Sequence, residues 1–275
     1  MNAIQSPPNA QFSSVYGPVQ SWRFGMSLGI DPIGVISTCS FNCVYCQLGK
    51  IQKHIIGRQI FVPTAQILSD LEAIASWEHV DAVTLSGSGE PTLALNLGEI
   101  LAAVKKVTKR PTIVLTNSSL LGDRTVRSAL KLADIVAVKL DALSPDRLRR
   151  VNQPVATIDL PDILAGIEQF RQEYQGYMAI QTMVLSIWKP DIVRDYIQLL
   201  QRFKPNEIQL NTPSRPRVLV RQLDARGNKV TASGGDACHN LRCISADVLT
   251  ALAEEIYDVT KIPVRCPPRA ILGKE

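Results

Sequence analysis

The amino-acid sequence predicts an α/β fold in which a parallel sheet curls into a partial (βα)6 barrel. Short runs of aliphatic and β-branched residues alternate along the chain with segments whose apolar residues recur at helical spacing. The strand candidates are mostly aliphatic or β-branched and do not alternate regularly between apolar and polar residues. This pattern is typical of strands that are covered by other elements on both faces of a sheet. A chain of 275 residues is long enough for one such barrel or for two smaller domains.

Helix caps and helical periodicity separate the six strand candidates. Thr64 and Asp123 can cap helices, whereas Pro161 and Pro190 stand where the first turn of a helix accepts proline. A further helix, beginning near Leu97, places its apolar residues on one face. In a parallel barrel, the residues that follow the carboxyl ends of the strands face the active site. The predicted strands cover residues 35–38, 81–85, 112–116, 134–140, 177–185 and 206–210.

The two ends of the chain are predicted to lie outside the barrel. Residues 1–15, rich in Asn, Gln, Ser and Pro, offer little apolar surface and predict a flexible tail. The barrel is expected to cover residues 16–216, and residues 217–275 to form a small C-terminal extension. No apolar run approaches the ~20 residues of a membrane-spanning helix, and the first residues do not match a signal peptide. We therefore expect a cytoplasmic protein with no membrane partner.

The six cysteines fall into two groups of three. In a chain without a signal peptide, they are better interpreted as metal ligands than as disulfides. Gaps of three and two residues separate Cys39, Cys43 and Cys46 in the first group. Three thiolates this close together can hold a four-iron cluster and leave one iron open to a ligand that is not protein. A zinc site or a redox pair of thiols is the alternative, because Cys43 and Cys46 also form a C-x-x-C pair.

This spacing, with an aromatic residue before the last cysteine and an apolar stretch over residues 34–38, resembles the signature of the radical S-adenosylmethionine (radical SAM) superfamily. The resemblance implies a TIM-like partial barrel in which Cys39, Cys43 and Cys46 bind a 4Fe-4S cluster. The fourth iron is then chelated by S-adenosylmethionine, with Tyr45 near the adenine. It also implies an oxidoreductase that cleaves S-adenosylmethionine reductively and uses the 5′-deoxyadenosyl radical on an unidentified substrate. A one-electron reductant such as a flavodoxin or ferredoxin is the implied partner.

The turn after the second predicted strand carries Ser88, Gly89, Glu90 and Pro91. Small residues at a strand end let backbone groups approach a ligand closely. The turn resembles the Gly-Gly-Glu-Pro motif of the family, with serine in place of the first glycine. That resemblance implies contacts with the amino group of the methionine moiety. The alternative is a plain strand-to-helix turn.

Polar residues also follow the third and fourth predicted strands, where Asn117, Lys139 and Asp141 stand. In the family, residues at these strand ends contact the ribose and the carboxylate of the cofactor, and the resemblance implies the same here. Ordinary capping is the alternative, because Asn at the start of a loop often forms an Asx turn. The sequence identifies no catalytic acid or base.

The second cysteine group lies beyond the barrel, at Cys238, Cys243 and Cys266, with gaps of four and twenty-two residues. It resembles the second-cluster region of some radical SAM enzymes in arrangement only. A second 4Fe-4S cluster, a zinc ion bound with His239, and unligated thiols all stay open.

Short phrases such as 16–18 and 27–29 resemble a subgroup that contains the wyosine-forming tRNA enzymes. Since residues 213–242 carry six basic and two acidic residues, tRNA is a candidate substrate. The alternative to an enzyme is a non-catalytic iron-sulfur or zinc protein with a binding or regulatory role.

Overall fold

The structure is a computed structural model that describes residues 12–74, 76, 78–214, 217–218, 223–227, 238–239, 241 and 243–269. The predicted tail therefore lies mostly outside the described residues. The strands are β1 (Val15–Ser21), β2 (Gly25–Ile30), β3 (Thr38–Cys39), β4 (Lys53–His54), β5 (Ala82–Leu85), β6 (Thr112–Thr116), β7 (Ile135–Lys139), β8 (Tyr177–Met183), β9 (Glu207–Asn211), β10 (Arg217–Val218), β11 (Cys238–His239) and β12 (Val264–Arg265). The helices are α1 (Thr64–Glu72), α2 (Leu97–Thr108), α3 (Arg124–Leu130), α4 (Pro145–Arg147), α5 (Leu160–Glu173), α6 (Pro190–Phe203) and α7 (Ala246–Thr260).

One eight-stranded sheet, in the order β1-β2-β5-β6-β7-β8-β9-β12, forms the centre of the molecule. Strand β1 pairs with β2 in antiparallel orientation, and every other neighbouring pair in this sheet is parallel. The strands β2 and β5 to β9 are six parallel strands in sequence order, with helices in their connections. The predicted partial (βα)6 barrel is thus confirmed. Strand β12 adds a further parallel strand beside β9, reached through α7.

The first barrel strand lies earlier in the chain than predicted. It is β2, at Gly25–Ile30, whereas residues 35–38 belong to the loop that follows it. Leu28 and Ile30 face the core and are fully buried, while the small residues Ser27 and Gly29 line the barrel interior. Because its inner face is small and polar, this strand does not carry the continuous apolar run by which buried parallel strands are recognised.

Most predicted helix starts are confirmed. The Asp123 carboxylate accepts the backbone N–H of Thr125 at the start of α3, and Pro161 lies in the first turn of α5. The prediction for Thr64 was wrong, because it is the first residue of α1 and not its cap. Its hydroxyl oxygen instead accepts Asn96 Nδ2 at 3.1 Å.

The hydrophobic core lies between the sheet and the helices. Each long helix buries one face against it, and burial of such a side chain stabilises the fold by roughly 1.5–3 kcal/mol. Among the described helices, none is both long and apolar enough to cross a lipid bilayer. The buried helix residues include Ile67, Leu71, Leu101, Val104, Ile167, Phe170, Tyr196, Leu200 and Phe203.

The start of the C-terminal region differs from what its sequence predicts. The sequence of residues 218–231 predicts a hairpin with its turn near residues 226–228, but Leu223–Gly227 forms a 3-10 helix. Strand β10 pairs with β11, well beyond the expected partner. Residues 219–222 and 228–231, which the predicted hairpin also includes, lie outside the described residues.

Candidate functional site

A cavity of about 390 Å³ occupies the barrel interior and opens at the carboxyl ends of the strands. Side chains at the ends of five successive strands line it, and the β1–β2 hairpin closes one side. All three cysteines of the first group stand on its wall. The cavity is thus located where a parallel barrel places its active site. The strand-end residues are Ser86, Asn117, Lys139, Met183 and Asn211.

Backbone hydrogen bonds hold the cysteine loop on two sides. On one side, Thr38 N donates to Ser88 O at 3.0 Å and Glu90 N donates to Thr38 O at 3.1 Å. On the other side, Val44 N donates to Val151 O at 2.9 Å. The loop is therefore fixed between the turn after β5 and the segment after β7, which restricts the positions of its thiols.

Two thiols of the first group, those of Cys39 and Cys43, accept hydrogen bonds. Cys39 Sγ accepts the backbone N–H of Phe41 at 3.4 Å and Asn117 Nδ2 at 3.5 Å, and Cys43 Sγ accepts Asn152 Nδ2 at 3.5 Å. Removal from water raises the pKa of Cys39 well above its ordinary value and that of Cys43 to about 12. A bound iron would replace the thiol proton, and N–H donors to sulfur suit an iron-bound thiolate. These residues fit a cluster site.

None of the described cysteines forms a disulfide. Among the residues that the structure describes, no group of three Cys, His, Asp or Glu side chains has the geometry to hold a single metal ion.

Gly89 allows the closest backbone approach in the site. A Cβ atom at this position would lie only 1.7 Å from Thr38 O. Glycine is therefore required here for β3 to lie against the turn that follows β5.

The Glu90 carboxylate is almost fully buried and accepts four hydrogen bonds. Thr92 supplies its backbone N–H and its hydroxyl, Thr116 its hydroxyl, and Asn117 its backbone N–H, at 2.6 to 3.1 Å. Burial raises the pKa of Glu90, although these hydrogen bonds oppose the shift. Among the described residues, no basic side chain forms an ion pair with it. A cationic ligand in the cavity would compensate this charge.

Three of the predicted cofactor residues, Ser88, Pro91 and Asp141, are not among the residues that line the cavity. Ser88 Oγ donates to Asp31 Oδ2 at 2.6 Å, and Pro91 is buried as the first residue of the 3-10 turn Pro91–Leu93. Gly89, Glu90, Asn117, Lys139 and Tyr45 do line the cavity. The serine that replaces the first motif glycine thus serves an internal contact. The roles predicted for all of these residues stay predictions.

Tyr45 and Asp141 form a buried pair beside the cysteine loop. The Tyr45 hydroxyl donates to Asp141 Oδ2, and burial raises the pKa of Tyr45 well above its ordinary value. Lys139 Nζ lies 3.8 Å from Asp141 Oδ1 and 5.1 Å from the centre of the Tyr45 ring. Asn152 Nδ2 donates to Asp141 Oδ2 at 2.7 Å. Sequence reasoning missed Asn152, because no local pattern marks it.

Asn117 combines two roles. Its Nδ2 donates to Ser40 Oγ at 2.8 Å as well as to Cys39 Sγ, and its Oδ1 accepts Ser119 N at 3.0 Å. The hydrogen bond between Asn117 Oδ1 and Ser119 N forms the Asx turn that is the alternative interpretation from the sequence. The side chain is therefore fixed by its own turn while it reaches the cysteine loop.

The second cysteine group is described only in part, because the side chain of Cys238 lies outside the described part of the chain. Cys243 is exposed, and its thiol donates to Pro213 O at 3.0 Å, next to the cavity. Cys266 lies beside α7, where burial raises its pKa to about 11. The ligand role of this group stays a prediction.

A partial parallel barrel with three thiols and a ligand-sized cavity at its strand ends defines a cofactor-binding α/β protein. The family model described as "Radical SAM superfamily" matches residues 33–200. The chain belongs to the radical SAM superfamily, and it is an enzyme. Membership implies a 4Fe-4S cluster and S-adenosylmethionine as cofactors, together with a reductant and a substrate.

The chain is similar to two curated proteins and to one solved structure. The UPF0026 protein slr1464 of Synechocystis is 54% identical over 266 residues, which are 96% of this chain and 100% of that protein. A probable GTP 3′,8-cyclase of Saccharolobus islandicus is 26% identical over 192 residues, 68% of this chain and 58% of that protein. The structure of native anSMEcpe with bound AdoMet has a TM-score of 0.57 at 15% identity and covers 87% of this chain and 63% of its own. None of these three names refers to tRNA, so the predicted tRNA subgroup is not confirmed.

Proposed function

We propose that this enzyme binds a 4Fe-4S cluster through Cys39, Cys43 and Cys46 and holds S-adenosylmethionine along the strand ends to abstract hydrogen from a substrate in the same cavity. When bound and reduced, the cluster supplies the electron that cleaves S-adenosylmethionine into methionine and a 5′-deoxyadenosyl radical. The observation that carries the proposal is that one cavity at the strand ends brings together the three thiols, Gly89 and Glu90.

The turn after β5 supplies the features that a cationic amino acid moiety requires. Gly89 brings the backbone to the cavity wall without a side chain. Glu90 places a carboxylate there with four hydrogen bonds and no described cation beside it. An ammonium or sulfonium group would therefore be attracted to this side of the cavity, and both occur in S-adenosylmethionine.

The remaining walls orient the ligand and limit its contact with water. Lys139 lines the same cavity, and its ammonium group, 3.8 Å from Asp141 Oδ1, can also pair with a ligand carboxylate. Ala225 and Arg226 of the C-terminal region line the cavity together with the β1–β2 hairpin. Enclosure of this kind protects reactive species from side reactions with water.

Anaerobic reconstitution followed by chemical reduction tests the proposal. We expect a coloured protein with iron that forms 5′-deoxyadenosine when S-adenosylmethionine is added. The Cys43→Ala variant should lose that product, whereas Ser128→Ala, at an exposed position of α3 away from the cavity, should keep it. A colourless protein that binds only zinc at the first group, or a reduced cluster that never yields the product, would support the non-catalytic alternative.

We also propose that Cys238, Cys243 and Cys266 bind a second 4Fe-4S cluster. The position of Cys243 beside Pro213 at the cavity supports it. Removal of all three thiols should then lower the iron content by about four atoms per chain, as for a cubane. An unchanged iron content would contradict a second cluster, and a loss of zinc alone would identify a zinc site.

A further inference from the structure

The cysteine loop and the segment that follows it carry no acidic residue. Between Asp31 and Asp70 the sequence contains two lysines, a histidine and an arginine, but no Asp or Glu. Arg58 is used internally, because its Nε donates to Thr92 O at 2.9 Å and its guanidinium lies 3.7 Å from Asp123. Lys50 and Lys53, in contrast, are exposed. Residues 32–69 therefore contribute exposed positive charge and no negative charge to the surface over the cysteine loop.

This positive surface lies directly beside a predicted cluster ligand. In the parallel pair of β3 and β4, Thr38 is opposite Lys53 and Cys39 is opposite His54. Ile55 N donates to Cys39 O at 3.1 Å, which continues the pairing. Neighbouring strands are about 4.8 Å apart, so the exposed side of β4 is one strand away from Cys39.

Exposed apolar side chains accompany the lysines. Val35 is 58% exposed, Ile36 44% and Ile56 40%. Single exposed aliphatic residues are common on protein surfaces. These three, however, belong to one part of the fold, which consists of the loop after β2 and the two-stranded ribbon of β3 and β4. We call the surface formed by Val35, Ile36, Lys50, Gln52, Lys53, His54 and Ile56 the ribbon face.

We infer that the ribbon face is the docking surface for a small acidic protein that carries a one-electron redox centre. The inference rests on the proposed function, because it requires a cluster at Cys39. On docking, the carrier is oxidised by one electron and the cluster is reduced by one electron, with no proton transferred and no bond broken. Complementary charge steers such encounters, and the exposed aliphatic residues supply the apolar contact. A second copy of this chain is a poor occupant, because it would bring the same positive charge.

Charge reversal on the ribbon face tests the inference. Binding of the reconstituted protein to an acidic flavodoxin and to an acidic 2Fe-2S ferredoxin would be measured by calorimetry at low and high salt. We expect salt-sensitive binding of at least one carrier, weakened about tenfold or more in the Lys50→Glu, Lys53→Glu double variant. Lys50→Arg with Lys53→Arg should retain it. The matched control, Lys106→Glu with Lys189→Glu, makes the same charge change on α2 and before α6 and should also retain it.

A second measurement separates failure of this inference from failure of the proposed function. Dithionite is a small reductant that needs no protein docking surface, so it should reduce the cluster equally in the wild-type protein and in all three double variants. Absence of carrier binding, or equal weakening in the control, would overturn the docking surface even if dithionite still reduces the cluster. Absence of any iron cluster in the wild-type protein would overturn both.

Discussion

Arg226 of the C-terminal region forms a buried ion pair with Asp31 at the end of β2. Arg226 Nη1 lies 2.8 Å from Asp31 Oδ2, and the two side chains are 6% and 0% exposed. The same carboxylate accepts the backbone N–H groups of Ile33 and Gly34 and the hydroxyl of Ser88. A single carboxylate thus joins the start of the cysteine loop, the turn after β5 and the C-terminal region.

The Arg226→Ala substitution should destabilise the protein by about 3 kcal/mol, because it leaves a buried carboxylate without its cation. The free energy of unfolding from urea titrations would measure the effect. Arg202→Ala is the matched control, since Arg202 pairs with Glu168 on the surface, where water screens the pair and its loss should have a much smaller effect. Equal losses for the two variants would show that the Arg226 pair has no special role.

The Gly89→Ala substitution should be poorly tolerated. The added Cβ would lie 1.7 Å from Thr38 O. Strand β3 must therefore move away from the turn that follows β5. We expect a loss of at least about 3 kcal/mol and a reduced iron content after reconstitution. Gly57→Ala is the control: the new Cβ meets no atom within 4 Å, and stability should be unchanged or slightly higher. An iron content equal to that of the wild type would contradict the requirement for glycine.

The parallel barrel could be predicted from sequence because buried strands and amphipathic helices carry strong local patterns. The predicted strand at 112–116 coincides with β6, whose residues are aliphatic and β-branched. The first barrel strand was predicted at residues 35–38 and not at β2, because Ser27 and Gly29 of β2 line the cavity and are small residues. A Cβ on Gly29 would lie 2.2 Å from the Tyr16 ring. A strand with small residues on its cavity side lacks the run of large apolar residues by which buried strands are recognised in a sequence.

Much of the candidate site depends on contacts between residues distant in sequence. The cysteine spacing is local and therefore readable, and so is the turn at 88–91. Asn152 reaches Cys43 across 109 residues, and Arg226 reaches Asp31 across 195. Single polar residues at such separations have no periodicity or spacing that would reveal their partner. The fold is needed to bring them together.

The Asn152→Ala substitution should lower the reduction potential of the bound cluster. Asn152 Nδ2 lies 3.5 Å from Cys43 Sγ, and N–H donors to a ligand sulfur stabilise the more negative, reduced cluster. A redox titration followed by electron paramagnetic resonance would give the potential. Ser119→Ala is the control, because the Ser119 hydroxyl bonds Ser40 Oγ at 2.7 Å and not a sulfur. The same potential in Asn152→Ala and the wild-type protein would contradict the expected donor role.

The Asp134→Asn substitution should reduce stability at neutral pH but not in acid. Burial alone would raise the pKa of Asp134, but hydrogen bonds from Lys105 and Thr112 outweigh it and lower the pKa. The folded state therefore prefers the carboxylate, and this stabilisation is present above the ordinary pKa and is lost as the pH falls through the lowered one. Both side chains of the ion pair are partly exposed, so the effect is moderate. We expect the free energy of unfolding of the variant to be about 1 kcal/mol lower than that of the wild type at pH 7 in low salt. This difference should vanish at about pH 2, where the carboxyl group is protonated. Urea titrations at the two pH values would measure it, and Lys105→Met should show a smaller loss because Thr112 still donates to the carboxylate. An equal difference at both pH values would contradict the assignment.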